Sequence, residues 1–252
     1  MSLLHLIIIL SSLILLSTPC TLSSCSDEQQ FAIWLCNPII ENIKSFIHKN
    51  QDKSSSQEFY GTVRGLCNEV KSCLDPYQCK EAVSASDVLQ QGCDLHLFMI
   101  QENRDCFRKF LGNIYTSHLS NVSSCVKEFD FLENNNEERY KAYIEGKECF
   151  LSFIEDTCSD ISQDFYRTRF SNIAKGVSTK PTGQNCLDLP HLMEAEKCLA
   201  MYDILKQKTN KNMNEFEVCK EIQKCMRNNC YFDKEPIKRT VDEICDRLSQ
   251  RA

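Results

Sequence analysis

Cysteine is the residue type with the numbers and spacing to do chemistry here, with seventeen in 252 residues. Thiolates can ligate metal, attack an electrophile or bridge. Zinc frameworks place ligand pairs two to four residues apart; the nearest cysteines, Cys20 with Cys25 and Cys225 with Cys230, have four residues between them and no histidine cluster beside them. His48, His96, His118 and His191 are scattered with no paired spacing such as H-E-x-x-H, and they read as solvated or packed side chains. The acidic neighbours Glu137 with Glu138 and Glu155 with Asp156 read as surface charge. There is no G-x-S-x-G elbow and no glycine-rich phosphate loop. Bridging is the chemistry left, and no metal or organic cofactor is implied.

Bridges need an oxidising compartment, and the first residues supply the route to one. Leu3 to Leu16 is aliphatic except for His5, Ser11 and Ser12, and Ser17, Thr18, Pro19 and Cys20 follow. This is the apolar core and cleavage region of a secretory signal peptide, expected over residues 1–24, and the run is shorter than the roughly 20 apolar residues of a spanning helix. Removal of the leader takes Cys20 and His5 with it. Sixteen cysteines remain, an even number that can pair completely: Cys25, Cys36, Cys67, Cys73, Cys79, Cys93, Cys106, Cys125, Cys149, Cys158, Cys186, Cys198, Cys219, Cys225, Cys230 and Cys245. No later stretch has spanning length, so no membrane span is expected after cleavage. The formal net charge of -6 carries no basic excess and argues against nucleic acid as a partner.

The spacing of the cysteines repeats. From Cys25 to Cys93 the six-cysteine series has 10, 30, 5, 5 and 13 intervening residues, and from Cys186 to Cys245 it has 11, 20, 5, 4 and 14. The segments Cys67-Asn-Glu-Val-Lys-Ser-Cys73 and Cys219-Lys-Glu-Ile-Gln-Lys-Cys225 agree at the centre. These features mark an internal repeat whose second copy is truncated, since Cys106, Cys125, Cys149 and Cys158 have no counterpart after Cys245. The organisation expected is a complete cysteine-rich module over 25–170, a linker over 171–185 and a partial copy over 186–252. Each six-cysteine set admits fifteen connectivities and the middle four admit three, and spacing does not choose among them.

Helices must position these cysteines. Tyr60, Val63, Leu66, Val70 and Cys73 recur at three and four residues, as do Ile39, Ile40, Ile43, Phe46 and Ile47 after Pro38, and Ile237, Val241, Ile244, Cys245 and Leu248 after Pro236. Seven glycines and six prolines are too few for the turns of a β-sandwich, so the fold class is all-α, stapled by disulfides. Residues six apart on one helix, such as Cys67 and Cys73, stand about 9 Å apart along its axis and must each reach a different element. Trp34, in Phe31-Ala-Ile-Trp-Leu-Cys36, is expected to pack in the core beside a bridge. Asn121-Val122-Ser123 is an N-glycosylation sequon, which makes Asn121 a modification site.

The export signal, the C-x10-C opening, the C-x5-C-x5-C core and the segment Gly146-Lys-Glu-Cys149-Phe150-Leu-Ser-Phe-Ile154-Glu-Asp-Thr-Cys158 resemble the nematode family of secreted proteins described as domain of unknown function 19, over roughly Cys25 to Phe170. The resemblance implies an extracellular, disulfide-bonded, largely helical domain and implies no catalytic residues. The stretch from Cys186 onward departs from it. The function expected is an extracellular binding or interaction module for a protein, lipid or small molecule, secreted rather than retained. The alternative is a secreted hydrolase with a site assembled from dispersed residues.

Overall fold

The computed structural model describes residues 25–50, 56–77, 79–119, 125–181, 186–207 and 214–250. Every regular element among them is helical. The leader region, Cys20 and Asn121 lie outside the described residues. The chain forms two compact units that divide between Ile100 and Gln101.

The first unit holds α1 (Asp27–Trp34), α2 (Asn37–Lys49), α3 (Gln57–Leu74) and α4 (Lys80–Phe98). Local sequence starts each helix. Ser26 caps α1: its Oγ accepts from the Gln29 amide, while the Gln29 side chain accepts from the Ser26 amide. Pro38 sits in the first turn of α2, where no amide is needed, and Ser56 caps α3 through the Phe59 amide at 3.1 Å. Along α3, Phe59, Tyr60, Val63, Cys67, Val70 and Leu74 form one buried stripe at helical spacing, packed against α2 and α4. Three bridges fix this unit: Cys25–Cys79, Cys36–Cys73 and Cys67–Cys93. Cys67 and Cys73, on one helix, do reach different elements.

The second unit holds α5 (Gln101–Leu119), a 3-10 turn at Cys125–Lys127, α6 (Asn136–Glu145), α7 (Lys147–Thr157), α8 (Asp160–Val177), α9 (Leu189–Gln207), α10 (Glu215–Arg227), a 3-10 turn at Cys230–Lys234 and α11 (Pro236–Ser249). Helix α5 packs on α7, α8 and α9, and α9 packs in turn on α8 and α10. The centre is aromatic. Phe110 meets Phe150 edge-on at 4.7 Å and Phe131 at 5.2 Å, and Phe150 meets Tyr166 at 5.4 Å. Glycine is required at 146, where a Cβ would lie 2.5 Å from the Phe131 ring and 2.8 Å from the Ala142 carbonyl oxygen. The bridges are Cys106–Cys158, Cys125–Cys149, Cys186–Cys230, Cys198–Cys225 and Cys219–Cys245.

In both six-cysteine sets the first cysteine pairs with the fifth, the second with the fourth and the third with the sixth. Of the linker expected over 171–185, residues 171–177 belong to α8, which continues to Val177 with Ile173, Ala174 and Gly176 buried. Phe170, Ile173, Ala174 and Val177 follow the i, i+3, i+4, i+7 spacing of a buried helical face, which outweighs the polar composition of the stretch. A Cβ on Gly176 would lie 3.0 Å from Leu189 and 3.2 Å from the Met193 sulfur, so α8 and α9 pack closely and the second six-cysteine set shares a unit with the middle four.

Candidate interaction surface

Helix α1 is held at both ends by covalent bonds. Cys25 precedes it and Cys36 follows it by two residues, and each is bridged to a residue of the α3–α4 region. Between them, Phe31, Ala32, Ile33, Trp34, Leu35 and Cys36 are consecutive apolar residues. At 100° per residue six such positions wrap around the helix, so they cannot all face inward. Ile33 turns toward the small cluster of Cys25, Cys79 and Ala82. Phe31 and Leu35, two positions to either side, lie about 160° from it. The outcome is a helix with no buried residue: Phe31 and Trp34 are each 60% exposed and Leu35 is 54% exposed. The Phe31 and Trp34 rings stack with centroids 5.8 Å apart. Trp34 is therefore at the surface, which corrects the expectation that it packs in the core. Asp27 and Glu28, both exposed, occupy the first turn, where they complement the helix dipole.

The corresponding stretch of the second set, between Cys186 and Cys198, has the opposite disposition. Leu192, Met193 and Ala195 are buried, and Glu196 is fully enclosed. Glu196 Oε1 accepts from Arg104 Nε at 2.6 Å, and Oε2 accepts from Arg108 Nε and Nη2 at 2.7 Å. Arg104 also donates to the Tyr231 hydroxyl at 3.2 Å. Burial works against the Arg104 charge, but Glu196 and Tyr231 together outweigh it and the guanidinium pKa rises above its ordinary value. This triad ties α5 to α9. It sits among bridged helices as a structural element.

Residues 25–187 match the family described as Domain of unknown function (DUF19). The chain belongs to this family. The DUF19 region takes in the first six-cysteine set, the middle four cysteines and Cys186, and it stops before Cys198, so α1 lies inside it and most of the second set lies outside. No curated protein and no solved structure matches the chain.

Elsewhere in the DUF19 region, the histidines remain apart. His48 is exposed on α2. His96, on α4, lines a shallow concavity with Ile43, Cys67 and Leu89; its volume is about 20 Å³, room for one water. Burial pushes the His96 imidazolium down to about 4. Beyond the family match, His191 is buried in the first turn of α9, with Nδ1 2.7 Å from Asp188 Oδ1. The same oxygen accepts the His191 amide at 2.9 Å, so Asp188 is the cap of α9 and its contact with the ring belongs to that cap. Among the described residues no hydroxyl or thiol hydrogen-bonds to the other ring nitrogen. The cluster of Cys25, Cys79 and Glu81 has metal-like spacing, with Glu81 Oε2 3.0 Å from Cys25 Sγ, but both sulfurs are bonded to one another and neither is a thiolate. Glu155 pairs with Arg167 at the surface, and Glu137 and Glu138 take the Asn135 cap at the start of α6.

Proposed function

We propose that the protein is an exported binding module whose bridged helices hold an aromatic face toward an extracellular partner. The observation that carries this reading is the α1 face, where Phe31, Trp34 and Leu35 stand in solvent while Phe98, Phe107, Phe110, Phe131, Phe150, Phe165 and Phe232 are enclosed. Exposing three large apolar side chains on one rigid helix is unfavourable for a lone chain and useful for a binder. Export is supported by the aliphatic leader and by eight bridges, which persist only in an oxidising compartment. Among the described residues no helix is long and apolar enough to cross a membrane. On this reading Asn121 carries a glycan on the exported chain, and the second six-cysteine set is a truncated copy of the first, an assignment supported by their shared pairing order.

A secreted hydrolase is the competing reading, and the His191–Asp188 contact is the observation that favours it. The cap geometry and the enclosure of the ring weigh against it. The test is capture of partners from extracellular fluid by the oxidised protein, beside a reduced control. Capture that disappears on reduction is the expected result. Hydrolytic turnover abolished by His191→Gln contradicts the binding reading.

A further inference from the structure

We infer that the Phe31, Trp34 and Leu35 face of α1 seats in an apolar groove rimmed by lysine or arginine on another protein. This rests on the binding reading above and names its surface and the chemistry of its partner.

Three observations converge on that chemistry. First, the exposed residues Phe31, Trp34 and Leu35 fall at i, i+3 and i+4, the spacing of a short helix that lays its anchors into a groove. The helix is clamped by Cys25–Cys79 and Cys36–Cys73, so little further order is lost on docking. Second, the chain itself contains the covered form of this arrangement. In the second six-cysteine set, with the same pairing order, the segment between the first and second cysteines buries Leu192, Met193 and Ala195 and sends Glu196 to Arg104 and Arg108 of α5. What covers that segment is α8, which packs on Met193 through Gly176, together with α5, which brings two guanidinium groups to its acidic residue. Third, residues 25–43 hold three carboxylates, Asp27, Glu28 and Glu41, and no lysine, arginine or histidine. Glu41 is engaged by Lys44 at 2.9 Å, which leaves Asp27 and Glu28 as the acidic edge of the patch. A second copy of this face would set like charges against each other, and an anionic lipid surface would be repelled in the same way. A basic-rimmed protein groove satisfies both the apolar anchors and the acidic edge.

Trp34 is the sole tryptophan of the chain, so its emission reports directly on this face. The probe is a tryptophan-free helical peptide with a leucine stripe flanked by arginines, titrated into the oxidised full chain. We expect a saturable blue shift of Trp34 emission and loss of acrylamide quenching. Affinity should fall with salt, fall severalfold in Asp27→Asn/Glu28→Gln, and fall on the order of tenfold in Phe31→Ser/Leu35→Ser, which keeps Trp34. Native pairing in each variant is checked by unreduced peptide mapping. Equal binding of a peptide with glutamate in place of arginine overturns the inference. So does a blue shift from raised protein concentration alone, which marks a second copy, or from phosphatidylserine vesicles, which marks a membrane. Emission already typical of an enclosed indole before any addition overturns it too. If the Phe31→Ser/Leu35→Ser chain still captures its partner from extracellular fluid, the binding reading stands and this face is not its site. If the unmodified chain captures nothing, the binding reading itself fails.

Discussion

Between Cys25 and Cys36 the chain turns its large apolar side chains outward, and between Cys186 and Cys198 it turns them inward, although the two segments open cysteine sets of the same pairing order. The difference lies in where the second cysteine falls. Cys36 is the cap of α2, so the first segment is an eight-residue helix of its own, too short to reach a second layer. Cys198 lies inside α9, nineteen residues and about 28 Å long, which extends past its own bridges to pack on α5 and α8. A shared staple therefore fixes which helices are joined and leaves open what the free face of the opening segment meets. The comparison also separates two roles: residues of the first segment should govern binding with little effect on stability, and those of the second should do the reverse.

The largest expected effect is on the buried triad. Glu196→Ala removes the enclosed carboxylate that Arg104 and Arg108 share, leaving Arg108 only its longer contacts to Asp105 and Asp203 at 3.8 and 3.7 Å, and should cost about 3–5 kcal/mol, seen as a lower thermal midpoint with Trp34 emission unchanged. A loss below about 1 kcal/mol would mean that both guanidinium groups reach solvent. The paired bridges come next. Cys67–Cys93 and Cys219–Cys245 each join residues 26 apart, so replacing either pair by alanine should cost about 3.5 kcal/mol through chain entropy, with near-equal values in the two sets. Unequal denaturant midpoints after removal would show that the two sets depend differently on their staples.

A smaller effect distinguishes the units by pH. His96 has an ordinary value of 6.5 and is held down to about 4 by burial, so the unfolded chain binds its proton first as pH falls. The first unit should keep this contribution above pH 6.5, lose it progressively between 6.5 and 4, and lose no more below that. His96→Leu should flatten this window in a pH series of thermal midpoints. The smallest effect on stability belongs to the surface: Phe31→Ser/Leu35→Ser should change it by no more than about 0.5 kcal/mol, whatever it does to binding.

The sequence carried the helices more plainly than the surfaces. The stripe on α3 and the run after Pro236 are legible because apolar residues return every three or four positions on an otherwise polar helix. Around Trp34 that signal fails: six consecutive apolar residues have no polar positions to mark the outer face, and proximity to Cys36 suggests burial. The count itself held the clue, since a short helix cannot bury all of its circumference. Residues 171–177 misled in the other direction, because the buried spacing of Phe170, Ile173, Ala174 and Val177 was hidden among serine, asparagine, lysine and glycine. Bridge connectivity and the Glu196 triad could not be read at all. Both depend on which helices meet, and local periodicity does not encode partners distant in the chain.

The contrast between the two opening segments can be measured in one experiment on the free, oxidised protein. Hydroxyl-radical footprinting read by mass spectrometry compares the oxidation rates of Phe31, Trp34 and Leu35 with those of Leu192 and Met193. Trp34 and its neighbours should be modified rapidly and Met193 strongly protected, although a free thioether is among the most readily oxidised side chains. Protection of Trp34, or a Met193 as reactive as Trp34, would mean that the two opening segments do not differ in which way their apolar side chains face.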